Sequence, residues 1–292
     1  MTDVSIVVPC FNEACFIRQA IKALLRQDYS GEFEIIVADN GSTDGTQTIV
    51  EKEQSADSRI NLVDASDHKG AAHARNIGVE HARGKYVLFA DADDETPPGW
   101  LTAMLKALEF SDLVGCGFDT ETLNESWQSE SWQNGQNGDL NHFHPPFLPW
   151  SGAGSIGVKR DTHQAVGGFD ERLIVLEDAD YCWRIQLTGV TMKFVSETTI
   201  QYRFPKKYSQ MFRQMRLLGQ YHALLYKRYR AQGMGTLDSP VRQAILRWKR
   251  WFRALRHYRR ARSRQAKSAL VRDLGWNIGR LYGSIRYGIL DL

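Results

Sequence analysis

The stretch Lys85-Tyr86-Val87-Leu88-Phe89-Ala90-Asp91-Ala92-Asp93-Asp94 decides the fold, because an apolar run stops abruptly in three carboxylates within four residues. A run without polar alternation reads as a strand buried on both faces, and such strands belong to parallel sheets covered by helices. Two earlier segments share this character: 3–9, stopped by Pro9, and 33–38. Each leads into a polar loop, at 11–13 and 39–46. Between Cys15 and Gln27 the residues Phe16, Ile17, Ala20, Ile21, Leu24 and Leu25 recur at helical spacing. A second helix runs through Val50, a short strand covers 60–63, and His68 to Ala82 is a Gly/Ala-rich helix. This alternation predicts an α/β protein with a doubly wound, mixed but mostly parallel sheet, whose ligands bind beyond the carboxyl ends of the strands. The loops 11–13, 39–46 and 91–95 lie at those ends. Beyond them, Pro97-Pro98-Gly99 opens a helix to Phe110, and 112–118, 150–158 and 192–201 read as strands. The polar segment 119–149 is too long for a plain connector.

The 292 residues hold 37 Lys plus Arg and 34 Asp plus Glu, a net charge of +3 that conceals an asymmetry. Residues 1–200 carry 15 basic and 31 acidic side chains (net −16), and 201–292 carry 22 and 3 (net +19). A region so basic meets something anionic: a membrane surface, nucleic acid or the chain's own acidic half. With 42% apolar residues the chain is neither disordered nor fibrous. No apolar run approaches the ~18–20 residues of a membrane span, and the N-terminus enters a strand without a signal peptide, so a cytoplasmic protein is expected. Cys10, Cys15, Cys116 and Cys182 are scattered and read as reduced structural thiols.

Asp91 and Asp93, two apart on an extended chain, would point the same way. Their carboxylates would repel unless a cation sat between them, and hard oxygen ligands suit Mg²⁺ or Mn²⁺ carried by a diphosphate. A solvated turn is the plainer reading. In Asp39 to Thr46 the glycines allow tight backbone and the Asp and Ser side chains cap a helix; Asp39, at the end of a buried strand, could also accept a base N–H from a nucleotide. In the Gly70–Gly78 segment small residues let a helix approach a ligand, with Arg75 as a diphosphate partner or a surface ion pair. His142 and His144 could complete a metal shell or simply be exposed. Trp127, Trp132 and Trp150 could stack on a ligand or pack the long loop.

Together, Val7-Val8-Pro9-Cys10-Phe11-Asn12-Glu13, the 39–46 segment, Arg75-Asn76-x-Gly78 with Asp91-x-Asp93, and Gly167-Gly168-Phe169-Asp170-Glu171 followed by Glu177-Asp178-x-Asp180 resemble the motifs of family 2 glycosyltransferases, in the same order. The resemblance covers roughly residues 3–200. It implies a GT-A fold over 1–200, with a nucleotide-sugar-binding half (1–95) and an acceptor half (96–200), followed by a basic helical region (201–292). It further implies that Pro9, Phe11, Asn12, Glu13, Asp39, Asn40 and Gly70 line the donor nucleotide, with Arg75 near base and diphosphate. Asp91 and Ala92 would lie by the ribose or a metal-bound water, and Asp93 would ligate Mn²⁺ or Mg²⁺ directly, with Asp91 as the second metal residue. Asp178 would be the catalytic base with Glu177 beside it, and Trp150, Gly168, Trp183 and Arg184 would serve the acceptor. Ser151-Gly152-Ala153-Gly154-Ser155 departs from the Gly-Ala-Asn often found there. The implied reaction is an inverting single displacement from a nucleotide sugar, UDP-linked by preference, to a lipid-linked or other glycan acceptor. Nucleotidyl transfer on a similar sheet and a non-catalytic scaffold are the rival readings.

In the basic region Val241, Ile245, Trp248, Phe252 and Leu255 share one helical face, with arginines over much of the remainder. An aromatic stripe flanked by Arg fits a helix lying in an anionic membrane interface, so residues 241–267 are expected to meet that surface at the cytosolic face. Docking on the acidic half is the alternative; nucleic acid is not expected, since no base-reading module accompanies the helix. Gly275, Gly279 and Gly283 make one small face suited to close helix packing. Arg272, Arg280 and Arg286 argue against a membrane span there, leaving peripheral attachment.

Overall fold

The computed structural model describes residues 2–131, 138–235, 245, 248–249 and 263–289. They fall into two compact units: 1–122 with 136–141 and 149–203, and 123–135 with 142–148 and 204–292.

The first unit is built on seven strands, β1 (Val4–Cys10), β2 (Phe33–Asp39), β3 (Ile60–Asp64), β4 (Tyr86–Phe89), β5 (Leu113–Asp119), β6 (Ile156–Lys159) and β7 (Met192–Gln201), in the order β3-β2-β1-β4-β6-β5-β7. β1 runs parallel to β2 and β4, β2 to β3, and β5 to β7; only β6 is antiparallel to its neighbours β4 and β5. This is the mixed, mostly parallel α/β sheet expected from the sequence. The helices are α1 (Ile17–Leu25), α2 (Thr46–Ala56), α3 (Ala71–Glu80), α4 (Trp100–Leu108), α5 (Ser126–Ser131), α6 (Arg160–Ala165) and α7 (Glu177–Gln186), with α8 (Tyr208–Tyr229) and α9 (Arg264–Tyr287) in the C-terminal region.

Side-chain alternation along β1 shows why the sheet is covered twice. Val4, Ile6, Val8 and Cys10 pack in one cluster with Ile17, Ile21 and Leu24 of α1 and Trp100, Met104 and Leu108 of α4. Val7 faces the other way, into a cluster with Ala72 and Val79 of α3 and Tyr181, Cys182 and Ile185 of α7. Gly157 lets β6 slot between its neighbours, since a Cβ there would lie 2.7 Å from Leu88 and 2.9 Å from Val114. Register aligns Cys10 with Asp39 and Val7 with Phe89, so the loops leaving β1, β2 and β4 emerge side by side.

The second unit centres on α8 and α9. Glycines step along their seam: a Cβ on Gly275 would lie 2.6 Å from the Phe212 carbonyl, one on Gly279 would overlap the Arg216 carbonyl, and one on Gly283 would lie 2.5 Å from the Gln220 carbonyl. Both partners advance by four residues, so the helices run parallel, and Lys227 Nζ donates to the Tyr287 carbonyl at 2.6 Å. Residues 123–135 and 142–148 join this unit rather than the sheet. The Phe204 amide donates to Asn124 Oδ1 at 2.8 Å, the Ser131 and Ser268 hydroxyls meet at 3.1 Å, and Phe143 stacks on His222 with centroids 4.3 Å apart. No described helix is long and apolar enough to cross a membrane. The stripe Val241–Leu255 lies outside the described residues apart from positions 245, 248 and 249, as does Trp132.

Candidate functional site

The loops beyond β1 and β2 are stitched together. The Asn12 amide donates to Ser42 Oγ (2.9 Å), the Thr43 amide to Asn12 Oδ1 (2.8 Å), the Glu13 amide to Thr46 Oγ1 (2.9 Å) and the Ala14 amide to Asp44 Oδ2 (3.0 Å). Asn12 takes φ 58°, which asparagine tolerates better than most residues. Phe11, 52% exposed, stands at this rim, and Pro9 is half-buried on β1. Asp39, at the end of β2, spends one oxygen on the Gly41 and Ser42 amides and on Gln47 Nε2 at 2.7 Å. Its other oxygen, Oδ1, is buried without a partner. The Asn40 side chain instead holds the loop from β3 to α3, donating to the Ala65 and His68 carbonyls and accepting from the Gly70 amide at 2.9 Å. Gly70, at φ 140°, occupies backbone that a side chain would strain.

Asp91, Ala92 and Asp93 are not extended, contrary to the geometry expected from the sequence. β4 ends at Phe89 and the chain turns, with the Asp94 amide donating to the Asp91 carbonyl at 3.3 Å. The carboxylates therefore differ in surroundings, while Ala92 packs into the core. Asp93 is pushed up to about 6 by burial and by the charge of Asp91. Asp94 is raised well above the usual carboxylate range by burial and by Asp93, and accepts from the Arg203 amide at 2.8 Å. Glu13, from the loop after β1, rises to about 7 through burial and the charges of Asp93, Asp44 and Asp91. Such a crowd of carboxyl oxygens, raised by burial and mutual repulsion that the nearby Arg203 offsets only in part, is the donor set a hard divalent cation satisfies.

Arg75 on α3 ties this turn to the later part of the chain. Its buried guanidinium donates to Asp91 Oδ1 at 2.9 Å and to Glu177 Oε1 at 2.8 Å, 102 residues away. Of its two readings, diphosphate partner or surface ion pair, the surface pair fails because only 5% of the side chain is exposed. Glu177 opens α7 after Leu176, whose φ of 61° is uncommon for a branched residue and marks local strain of roughly 1–3 kcal/mol. Burial raises Glu177 while Arg75 pulls it back. Asp178 is pushed up to about 7 by burial and by Glu177, despite accepting from the Ala179 (2.8 Å) and Ala153 (3.3 Å) amides. The 151–155 segment lies against Asp178 and Asp91: the Ala153 amide reaches Asp178, and a Cβ on Gly154 would come within 2.7 Å of Asp91 Oδ2. The run of small residues there could have signalled this close approach.

Other residues assigned to the acceptor by resemblance sit differently. Trp183 has no exposed surface, so its ring cannot touch a ligand in this conformation. The Arg184 guanidinium is spent on Asp180 (2.7 Å) and on the Val166 and Gly168 carbonyls (2.8 and 2.7 Å), which shapes the Gly167-Gly168 turn from behind. Trp150 is half-buried against the core, and its backbone pairs with Asn141. His142 and His144 are exposed and belong to the second unit.

Comparisons with known proteins bear on the family and the fold. The family model described as glycosyl transferase family 2 matches residues 5–162. A GalNAc(5)-diNAcBac-PP-undecaprenol beta-1,3-glucosyltransferase of Campylobacter jejuni is 36% identical over 107 residues, which are 36% of this chain and 34% of that protein. Among solved structures, the mannosyltransferase PcManGT from Pyrobaculum calidifontis, in complex with GDP-Man and Mn²⁺, superposes with a TM-score of 0.64 at 22% identity, covering 97% of this chain and 86% of its own. Staphylococcus aureus TarS 1–349 in complex with UDP gives 0.55 at 20%, covering 98% and 92%. The matched stretch spans between a third and under half of the length of several curated relatives. With the family model covering more than half of its length, the chain belongs to glycosyl transferase family 2.

Proposed function

We propose that the first unit transfers a sugar from a nucleotide sugar, UDP-linked by preference, to an acceptor hydroxyl with inversion at the anomeric carbon. The observation that carries this reading is the Arg75 bridge, which joins the acidic turn at Asp91 to Glu177, next to an Asp178 carboxyl held near neutrality. Asp39, through its unpartnered oxygen, would accept a base N–H, with Pro9, Phe11, Asn12 and Glu13 around the nucleoside. Asn40 and Gly70 would shape that pocket rather than touch the ligand. Asp93 and Asp91 would hold Mn²⁺ or Mg²⁺, and the crowding that raises Asp93 and Glu13 supports the fit. A bound cation of this kind supplies countercharge to a departing diphosphate.

Asp178 would take the proton of the acceptor hydroxyl at a carboxylate oxygen as that hydroxyl attacks. A base titrating near pH 7 combines useful ionisation with useful basicity. Glu177 and Arg75 orient the start of α7 and set its charge. The first unit is the proposed GT-A domain. The basic region 201–292 would bring it to an anionic membrane at the cytosolic face, where a lipid-linked acceptor resides; the undecaprenol-linked substrate named for the Campylobacter relative supports that choice.

The test is Asp178→Asn. Turnover should fall at least ~100-fold, the usual scale of a lost general base, with nucleotide affinity unchanged. In the native protein the rate should climb as pH rises through about 7, because the base works only when ionised. Wild-type turnover in the variant would remove Asp178 from this role. Attachment is tested separately: truncation after Pro240 should abolish sedimentation with anionic liposomes, and unchanged sedimentation would exclude the 241–267 segment.

A further inference from the structure

A second set of metal-ligating side chains lies outside the acidic turn. Asp67, His68 and His73 bring one ligand atom each to within 4.8 Å of one another, and among the described residues they are the group of three or more that does so. Asp67 and His68 come from the loop between β3 and α3, and His73 from the first turn of α3. The Asp67 carboxylate sits between the two imidazoles, with Oδ1 2.6 Å from His73 Nε2 and Oδ2 3.3 Å from His68 Nδ1. The rings stand 5.2 Å apart, inclined by 54°.

The feature that separates this group from a chance surface cluster is what lies behind His73. Its ring is nearly buried, and Nδ1 meets Glu171 Oε2 at 2.9 Å. Glu171 is itself held by Asn76 Nδ2 at 2.8 Å. A carboxylate on the far nitrogen of a buried imidazole fixes the ring's orientation, and Nε2 becomes a ligand once a metal displaces the proton it shares with Asp67 Oδ1; this is the outer-shell pattern of histidine metal sites. We propose that Asp67, His68 and His73 form a binding site for a borderline transition ion, Zn²⁺ in the first instance, with Glu171 as the outer-shell partner and water completing a tetrahedron.

The chemistry distinguishes this site from the acidic turn. Two imidazoles and one carboxylate suit Zn²⁺, whereas Mg²⁺ requires octahedral oxygen. Ligands around a tetrahedral Zn²⁺ lie roughly 3.3 Å apart, given bonds of about 2.0–2.1 Å. Reaching that spacing means opening the His73–Asp67 pair slightly and drawing His68 inward, which its exposed side chain permits. An ion there would pin the β3–α3 loop, whose carbonyls Asn40 already grips beside Asp39, to the Gly167–Glu171 turn that precedes Glu177. Its expected role is to rigidify the ligand end of the sheet rather than to act on substrate.

The test uses the full, untagged chain and needs no donor or acceptor. After stripping with a chelator, the protein given Zn²⁺ should retain about one equivalent through gel filtration, read by elemental mass spectrometry, and should retain no Mg²⁺ under the same treatment. His68→Ala and Asp67→Asn, both at exposed positions, should each weaken Zn²⁺ at least tenfold in competition with a chromophoric chelator. Glu171→Gln, which keeps an acceptor for Asn76, should weaken it about tenfold. Asp93→Asn should bind Zn²⁺ as the native protein does. Failure of the native chain to retain Zn²⁺, undiminished binding in both His68→Ala and Asp67→Asn, or loss of binding in Asp93→Asn would each overturn the assignment. None of these outcomes depends on sugar transfer.

Discussion

Replacing Arg75 with methionine would keep most of the buried volume and remove the charge that joins Asp91 to Glu177. Asp91 is 30% exposed and can recover solvation from water, but Glu177 is only 10% exposed and has no such recourse. The cheapest escape for a buried carboxylate stripped of its partner is to take up a proton. From its ordinary value of 4.5, protonating Glu177 costs about 3.4 kcal/mol at pH 7 and about 1.4 kcal/mol at pH 5.5, at 1.36 kcal/mol per unit. A group whose folded pKa is raised contributes stability that is fully present below its unfolded pKa and lost as pH rises through the folded one. Because burial already raises Glu177 in the native chain, the variant's loss relative to that chain should be up to about 2 kcal/mol larger at pH 7 than at pH 5.5, on top of a pH-independent loss of hydrogen bonds. Urea unfolding at the two pH values reads this directly, and adding Glu177→Gln should abolish the pH dependence. A destabilisation equal at both pH values, or unchanged by Glu177→Gln, would show that Glu177 is not the residue Arg75 serves.

Two further tests concern stability. His163, buried with its Nδ1 2.9 Å from the Tyr181 hydroxyl, is lowered to about 4 by burial and the Arg184 charge. Its unfolded form binds more protons between pH 4 and 6.5, so stability should rise with pH across that window by up to about 1.4 kcal/mol per unit and then level off. His163→Gln should flatten that share of the urea-midpoint profile, and an identical profile would exclude His163 as the titrating group. Gly279→Val should force α8 and α9 apart at the Arg216 carbonyl, costing about 1–3 kcal/mol, seen as faster hydrogen exchange along both helices. Unaltered exchange would dismiss the close seam.

The strands other than β6 and most of the first four helices are readable because each presents a clean pattern, whereas the strand expected over 150–158 is a 3-10 turn at Ala153–Ser155 followed by β6. β1 and β2 are mostly apolar runs, broken only by Ser5 in the first and by Glu34 and the terminal Asp39 in the second, and α1 has a one-sided stripe from Ile17 to Leu24. α7 was not readable as a helix, since Ala179, Asp180, Tyr181, Cys182, Trp183 and Ile185 are all buried and leave no amphipathic contrast. The motifs named the acids of the site but not their wiring. The Arg75–Glu177 bridge, the approach of Gly154 to Asp91 and the hold of Asn76 on Glu171 join residues 63 to 102 positions apart. Local spacing contains no record of such contacts. The extended geometry expected for Asp91 and Asp93 failed for a related reason: the polypeptide turns where β4 loses its ladder partners after Phe89. His68 and His73, five residues apart, carry no familiar ligand spacing, and only the fold adds Glu171.

The parallel course of α8 and α9 has an electrostatic consequence. Side by side and pointing the same way, their backbone dipoles repel, and both place partial negative charge at the same end. The glycine seam shortens the separation and so sharpens that repulsion. Lys227, in the last turn of α8, sends its ammonium to the Tyr287 carbonyl at the end of α9, with Arg228 and Arg286 in the last turns of the two helices. Part of the chain's positive surplus thus neutralises its own helix ends, and that fraction is withdrawn from the charge the region can offer to any external anion.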